Sequence, residues 1–216
     1  MSGFCHTIAR ALTSAGLVVA LSLPLAGPAM AQSAIAAQVA KPVSLPDIAI
    51  GSAKARVTIT EYASMSCPHC AAFGENVFPM LRSRYIDTGK VRFVFREFPL
   101  DITAAASSML ARCIGKDDPE KYLAVVATLF KQLDRLMAQT KDTLKLVAKL
   151  NGMSDQEVEN CEKDQVLLDK LAADQRYALD TLKVVSTPTF FVNGQKLQGA
   201  MSFEELEAII KPMLKR

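Results

Sequence analysis

Hydrophobic and polar residues alternate along two short segments in the first half of the chain. Residues 56–63 are Arg-Val-Thr-Ile-Thr-Glu-Tyr-Ala, and residues 91–98 are Val-Arg-Phe-Val-Phe-Arg-Glu-Phe. A period of two residues predicts a β-strand in each segment. Between them we expect a helix from Pro68 to about Thr88, kinked at Pro79. A strand, a helix and a strand within about 43 residues predict a parallel, right-handed crossover unit.

The next segment, residues 101–184, has helical periodicity and predicts no strand. Asp118-Pro119 and the capping box that begins at Ser154 indicate helix starts, and Asn151-Gly152 indicates a helix end. After Ser154, apolar residues recur at helical spacing: Val166, Leu167, Leu171, Ala178, Leu179 and Leu182. We therefore expect an all-helical subdomain of about 80 residues in this part of the chain.

Strand character returns near the C-terminus. Residues 189–192 are Thr-Phe-Phe-Val, Asn193-Gly194 is a hairpin-turn signal, and residues 196–198 predict the returning strand. A capping box at Ser202 predicts a last helix that ends near Leu214. The predicted order is therefore β-α-β, a helical insertion, and β-β-α, which is an α/β fold.

The first 31 residues have the features of a cleaved signal peptide. They contain one basic residue, Arg10, no acidic residue, and an uncharged apolar run from Ala11 to Leu25. Ala29-Met30-Ala31 then supplies the small-x-small pattern of a cleavage site. The alternative is an uncleaved membrane anchor, but proline and glycine interrupt the end of the run and no basic stop-transfer cluster follows.

The rest of the chain divides into three predicted parts. Residues 32–55 are rich in Ala, Pro and Ser without a sustained period, so we expect an N-terminal tether that leads into the fold. Residues 56–100 and 185–216 are expected to form one sheet domain, and residues 101–184 the helical subdomain inserted into it.

Composition and charge exclude some classes of function. Removing Arg10 with the signal peptide changes 25 basic residues to 24, against 22 acidic ones, a formal charge of +2. So small an excess argues against nucleic-acid binding, and the cluster from Lys211 to Arg216 fits a solvated helix end. Cys5 leaves with the signal peptide, so the exported chain keeps four of the five cysteines. An oxidising compartment allows paired cysteines to persist.

The candidate chemistry is the motif Cys67-Pro68-His69-Cys70, directly after the first predicted strand. At a helix start, free backbone N–H groups and the helix dipole favour a thiolate, the nucleophile of thiol-disulfide exchange. We expect the pKa of Cys67 to fall by about two to three units, helped by Pro68 and His69. Cys70 is then the resolving thiol. The alternative for His69 is a plain exposed helix residue.

Zinc binding is the other chemistry that a CxxC motif allows. A structural zinc site needs a second close pair of ligands. The remaining cysteines, Cys113 and Cys161, are 48 positions apart, and His69 is the only histidine after residue 31. We therefore expect redox chemistry, with no metal and no cofactor.

The motif, the helical insertion and the segment Ser186–Gly194 together resemble the DsbA-like thiol:disulfide oxidoreductases of the bacterial periplasm. The resemblance runs from about Pro46 to the last helix and implies a thioredoxin fold with an inserted helical subdomain. It also implies that Thr187-Pro188 is the cis-proline loop, which binds an extended substrate beside Cys67. From local sequence alone, a trans proline at the start of a strand is the ordinary expectation.

Two further assignments depend on the same resemblance. Glu61 matches a buried acid that assists proton movement at the second cysteine, and the alternative is a solvent-exposed glutamate at a strand end. Cys113 and Cys161 lie on apolar helix faces and are either two buried free thiols or a structural disulfide. The oxidising compartment and similar pairs in alphaproteobacterial relatives favour the disulfide.

The resulting functional prediction is a periplasmic dithiol oxidase. It transfers the Cys67–Cys70 disulfide to exported reduced proteins and is recharged by a membrane, quinone-linked partner of the DsbB kind. We expect a monomer. The alternatives are an isomerase or reductase of the same fold that is kept reduced, a holdase in which redox chemistry is incidental, and a glutathione-dependent enzyme.

Overall fold

A computed structural model describes residues 1, 3, 28–41 and 43–215. The predicted signal peptide lies outside the described residues except for residues 1, 3 and 28–31, and its cleavage remains a prediction. Within the described ranges, no helix has both the length and the apolar character needed to cross a membrane.

One mixed sheet of five strands organises the described chain. β2 and β3 are parallel, all other neighbours are antiparallel, and the order across the sheet is β1-β3-β2-β4-β5. The strands are β1 Ile48–Ile50, β2 Val57–Ala63, β3 Val91–Glu97, β4 Thr189–Val192 and β5 Gln195–Gln198. The crossover from β2 to β3 and the hairpin from β4 to β5 confirm the predicted β-α-β and β-β-α units.

The connection from β2 to β3 contains two helices and a π-helical turn, where the sequence predicted one kinked helix. It consists of α2 Pro68–Asn76, α3 Phe78–Leu81 and a π-helical turn over Arg82–Ile86. Pro79 has no N–H for the helical bond four residues back, and its ring crowds the carbonyl there. The break at Val77 follows from this, so the kink predicted at Pro79 is a division into two helices.

Six helices follow β3 and form the inserted subdomain, which confirms the predicted helical insertion. They are α4 Ile102–Gly115, α5 Pro119–Lys131, α6 Leu133–Ala138, α7 Thr140–Leu150, α8 Asp155–Glu162 and α9 Gln165–Asp180. Side chains of Asp101, Asp118, Ser154 and Asp164 accept hydrogen bonds from the first-turn N–H groups of four of them. These caps define where each helix begins. The last helix of the chain, α10 Phe203–Leu214, begins at the predicted capping box of Ser202.

The two faces of the sheet contact different layers. Val57 and Ile59 of β2 belong to the main core, together with Phe73 of α2 and Leu206 of α10. The alternate positions of β2 face the opposite way, and Tyr62 packs in a second core with Val39, Leu182 and Phe191. Because side chains alternate across a strand, Glu61 points to the main core, the side on which α2 lies.

The prediction of a tether over residues 32–55 is corrected by the structure. This range contains most of α1, Pro28–Val39, and all of β1, which pairs with β3. α1 packs on the β4–β5 turn so closely that a Cβ at Gly194 would lie 2.5 Å from the Gln32 carbonyl oxygen. A strand of three residues is too short to show alternation, and an alanine-rich helix shows little contrast between its faces.

Buried Arg96 and half-buried Arg112 fix the segment before β1 to the sheet. Arg96 donates to both carboxylate oxygens of Asp47 at 2.8 and 3.1 Å. Arg112 donates to both carboxylate oxygens of Glu97 at 2.6 and 2.7 Å, and to the Pro46 carbonyl at 2.7 Å. Planar guanidinium groups suit such paired contacts. The ends of β3 and α4 are thereby held together beside the segment that leads into the sheet.

Candidate active site

Cys67 lies at the N-terminal end of α2. β2 ends at Ala63, and a turn in which the Cys67 N–H donates to the Ser64 carbonyl at 3.1 Å leads into the helix. Cys67 is the N-cap residue in an extended conformation, and Pro68 follows in the first turn, where its missing N–H costs nothing. The Cys67 sulfur is therefore next to the free N–H groups of the helix start.

The surroundings of Cys67 favour its thiolate. The residue is 5% exposed, and as a thiol its Sγ donates to the Thr187 carbonyl at 3.3 Å, a contact that the thiolate cannot make. The pKa of Cys67 is lowered from 9.0 to about 5, first by a hydrogen bond from the Cys70 thiol. Burial opposes this shift, while the Thr187 side chain and the backbone N–H groups of Cys70 and His69 lower the pKa further.

Cys70 titrates in the opposite direction. It is 0% exposed, and both Cys67 and Cys70 are free thiols in the structure. The hydrogen bond with Cys67 raises the pKa of Cys70 most, followed by burial and by the nearby carboxyl of Glu61. At neutral pH the pair therefore has one ionised sulfur, Cys67, and one protonated sulfur, Cys70.

Glu61 is buried in the main core beside the two cysteines. It is 3% exposed, and its Oε1 atom has no hydrogen-bond partner. Burial raises the pKa of Glu61 well above its ordinary value, and the negative charge of Cys67 adds to the increase. The sequence left open whether Glu61 is a buried acid or a solvent-exposed glutamate at a strand end, and in the structure it is buried.

The Thr187-Pro188 loop faces Cys67 directly before β4. The peptide bond between these two residues is cis. The Thr187 carbonyl accepts from Cys67 as described above, and the Thr187 hydroxyl is buried with no hydrogen-bond partner among the described residues. Pro188 has no backbone N–H, and Val185 and Ser186 nearby are exposed. This loop is therefore the part of the chain that closes over the reactive sulfur.

Pro68 and His69, the two residues between the cysteines, are both exposed. The contribution of His69 to the low pKa of Cys67 comes from its backbone N–H. Any residue other than proline could supply that N–H, so the imidazole is left free to contact a substrate. Within the described residues, no group of three or more His, Cys, Asp or Glu side chains could hold a metal ion.

Cys113 and Cys161 form a disulfide that joins α4 to α8. The Cα atoms are 6.2 Å apart. Cys161 packs with Leu45, Met109 and Leu171 in a small core between the helical subdomain and the segment before β1. The structure thus brings Cys67, Cys70, Glu61 and the Thr187-Pro188 loop together and places the second pair in the helical insertion.

Ser64 is a site residue that the sequence analysis did not identify. Its buried hydroxyl accepts from the Leu100 N–H at 3.3 Å and lies 3.0 Å from the Ser66 hydroxyl. Its backbone N–H lowers the pKa of Cys70, against the larger effects that raise it. Ser64 therefore connects the end of β2, the dithiol and the loop after β3. Its position one residue after a strand that leads to CxxC is the signal that was available.

The comparisons with known proteins agree with this geometry. Residues 44–212 match the thioredoxin family model. The structure of Wolbachia pipientis alpha-DsbA1 is 30% identical, with a TM-score of 0.75, and the match covers 82% of this chain and 95% of that one.

Curated relatives match in the same region. A Rickettsia bellii protein provisionally named as a protein-disulfide oxidoreductase is 33% identical over 155 residues, which are 71% of this chain. Those residues span only 59% of the Rickettsia protein. Disulfide bond formation protein D of Bacillus subtilis is 26% identical over 180 residues, which are 77% of this chain and 76% of that one. The chain belongs to the thioredoxin family, in the DsbA-like branch of thiol:disulfide oxidoreductases.

Proposed function

We propose that this chain is a periplasmic dithiol oxidase that transfers its Cys67–Cys70 disulfide to exported proteins. The observation that carries the proposal is the unequal titration of the two sulfurs, since the pKa of Cys67 is about 5 while that of Cys70 is raised. A thiol of low pKa is a good leaving group, and a stabilised thiolate favours the reduced enzyme. The disulfide form is therefore an oxidant.

The transfer proceeds in two exchanges. A client thiolate attacks Sγ of Cys67, the Cys67–Cys70 bond breaks, and Cys70 leaves with the bonding electrons and takes up a proton. A second client thiolate then attacks the client sulfur of the mixed disulfide, and Cys67 leaves as a thiolate. The client loses two electrons and gains a disulfide, and the enzyme becomes the dithiol.

Glu61 and the Thr187-Pro188 loop have supporting roles in this proposal. Because burial keeps the Glu61 carboxyl protonated at higher pH than usual, it is suited to give a proton to departing Cys70 and to take it back on reoxidation. Thr187 offers its backbone to an extended client segment, and Pro188 offers no competing N–H. The client cysteine is then aligned with Cys67.

The location and partners belong to the same proposal. The apolar segment from Ala11 to Leu25 and the small residues at 29–31 support export to the periplasm. The clients are exported reduced proteins. A membrane, quinone-linked protein of the DsbB kind accepts two electrons from the dithiol and restores the disulfide, and the chain acts as a monomer. The Cys113–Cys161 disulfide is proposed to stabilise the helical subdomain without taking part in transfer.

The equilibrium with glutathione tests the direction of transfer. We expect a reduction potential near the oxidising end of the superfamily, at about −120 mV, and far from the thioredoxin value of about −270 mV. A value near that of thioredoxin would favour the reductase alternative. Replacing both cysteines by serine, C67S with C70S, separates a holdase from an oxidase, because only a holdase keeps its function in that variant.

A further inference from the structure

A concave cleft lies at the end of the sheet where β2 and β3 begin. Its volume is about 540 Å³, within the range of small-ligand sites. Five basic side chains from separate parts of the chain line it: Lys54, Arg56, Lys90, Lys211 and Lys215. All five are exposed. We call this surface the basic cleft.

The basic cleft has no acidic residue in its lining. Lys211 is paired with Glu207 of the same helix at 2.8 Å, and none of the other four cations forms an ion pair with a described residue. Lys90 lies over the ring of Tyr85 at 5.9 Å. The Tyr85 hydroxyl donates to Glu207 at 2.7 Å. The nearby Glu207 carboxylate therefore already has two partners, Tyr85 and Lys211.

This concentration of charge contrasts with the chain as a whole. The sequence has 25 basic and 22 acidic residues, so five of the 25 basic side chains line one cleft without an acid. Some surface cations elsewhere form ion pairs with acids, such as Arg82 with Glu120 and Lys163 with Glu159. Like charges held close together destabilise the folded state through repulsion, and an anionic ligand removes that repulsion.

The predominance of lysine in the basic cleft indicates which class of anion it would bind. Four of the five are lysines, whose ammonium groups are mobile point charges without the fixed fork of arginine. They select for density of negative charge, and each phosphate monoester carries nearly two charges where a carboxylate carries one. We infer that the basic cleft is a binding site for anions that present two or more phosphate groups together. This site is additional to the proposed oxidase function.

The position of the cleft makes binding compatible with catalysis. Arg56 and Lys90 directly precede β2 and β3, whereas Cys67 follows the other end of β2. Seven strand residues separate the two ends by roughly 20 Å. A ligand in the basic cleft therefore leaves the dithiol open. The same phosphate chemistry has two sources, a soluble polyphosphorylated molecule and the headgroups of an anionic membrane.

The test uses the full chain with two probes, at low salt. Sodium tripolyphosphate, followed by calorimetry, represents the soluble source. Vesicles containing phosphatidic acid, a lipid whose headgroup is a phosphate monoester, represent the membrane source; their binding is followed by cosedimentation, with phosphatidylcholine vesicles as reference. The cleft variant combines K54Q, K90Q and K215Q. The control variant combines K121Q, K145Q and K170Q, three exposed lysines outside the cleft, and loses the same charge.

We expect the cleft variant to lose roughly tenfold or more in affinity for at least one probe, while the control variant stays within about twofold of the original chain. If the cleft variant loses affinity for tripolyphosphate, the ligand is a soluble molecule. If it loses affinity for the vesicles alone, the ligand is a lipid headgroup. The inference is overturned if the original chain binds neither probe, or if both variants bind alike. The thiolate absorbance of Cys67 should be the same in all three proteins, which separates this outcome from any failure of the oxidase proposal.

Discussion

The two sulfurs of the dithiol are three residues apart and both are buried, yet they differ in their position along the helix and in the groups that affect their ionisation. Cys67 is at the helix start, where Cys70, the Thr187 side chain and two backbone N–H groups lower its pKa. Cys70 is inside the helix, fully buried, and near the carboxyl of Glu61. Single substitutions around the pair should therefore change its redox properties without changing the fold.

Replacing Thr187 by valine should raise the pKa of Cys67. The variant keeps the β-branched shape but loses a buried hydroxyl that has no hydrogen-bond partner while Cys67 is a thiol and can donate to its thiolate, which lowers that pKa. A hydrogen bond to a charged group contributes about 1.5 to 3 kcal/mol, so we expect an increase of about one to two pKa units. The reduction potential should fall with it, because the thiolate is less stabilised. Thiolate absorbance and glutathione equilibrium measure both effects.

Thr189 provides the matched control for this substitution. Its buried hydroxyl donates to the Ser186 carbonyl at 2.7 Å and does not contribute to the Cys67 pKa. T189V should lower stability by about 1 kcal/mol and leave the Cys67 titration unchanged. Equal titrations in T187V and the original chain would show that the Thr187 hydroxyl has no effect on Cys67.

Replacing Glu61 by glutamine should affect both stability and proton transfer. The folded pKa of Glu61 is raised above its unfolded value, so the folded chain holds a proton that the unfolded chain releases. Stability contributed by this group is complete below the unfolded pKa and falls as pH rises toward the folded pKa. The oxidised E61Q variant should therefore gain about 1 kcal/mol or more at pH 8 and nothing at pH 4.

In the mixed disulfide, Cys70 can attack Cys67, re-form the Cys67–Cys70 bond and release the client; we call this reaction closure. If Glu61 moves the Cys70 proton, E61Q should slow closure by about tenfold or more at neutral pH. Stopped-flow measurement of the closure rate against pH gives the result. E75Q removes an exposed carboxylate from α2 and serves as the control, with neither effect expected. An E61Q closure rate with the original pH profile would leave Glu61 without a role in proton transfer.

At the scale of elements, the disulfide between α4 and α8 is expected to stabilise the helical subdomain. The bridge closes a loop of 48 residues, for which chain entropy predicts up to about 4 kcal/mol. The double variant C113S with C161S should lose stability up to that amount in urea unfolding, while the Cys67 pKa stays the same. An altered Cys67 titration would instead connect the second disulfide to the active site.

The sequence was most informative about elements whose ends have local chemical signals. Ser154 and Ser202 begin α8 and α10 with complete capping boxes, and Asn193-Gly194 forms the hairpin turn. The sequence was least informative where tertiary packing determines the local structure, as in α1 and β1. Val166 and Leu179, which fit the helical period of α9, are 64% and 45% exposed because the helix packs through a narrower face.

The site shows the same division between local and long-range information. The CxxC motif predicted Cys67 and Cys70 because their reactivity follows from a helix start. The contacts of Ser64 with Leu100 and of Thr187 with Cys67 join residues that are 36 and 120 positions apart. No spacing rule predicts such contacts, so the hydrogen bonds of the Ser64 hydroxyl and the Thr187 carbonyl could be seen only in the folded chain.

For the whole molecule, we expect the reduced chain to be more stable than the oxidised chain, by a margin that grows with pH. The folded pKa of Cys67 is about 5, below its ordinary value of 9.0. Between these two values the unfolded thiol binds more protons than the folded one, so the reduced form gains stability as pH rises. The oxidised form has no Cys67 thiol to titrate.

Thermal unfolding of both forms at pH 4.5 and pH 7.5 tests this expectation. The difference in melting temperature between reduced and oxidised chains should increase from the lower to the higher pH. A difference that is constant with pH, or an oxidised form that is more stable at pH 7.5, would contradict thiolate stabilisation as the source of oxidising power.

The most direct test of the central claim is the thiolate absorbance of Cys67, followed against pH in the reduced chain. The absorbance should disappear on acidification with a midpoint near pH 5, as the geometry at the start of α2 requires. The C67S variant should lose this transition, which assigns it to Cys67. A midpoint near that of an ordinary cysteine, about 8.5, would contradict the account.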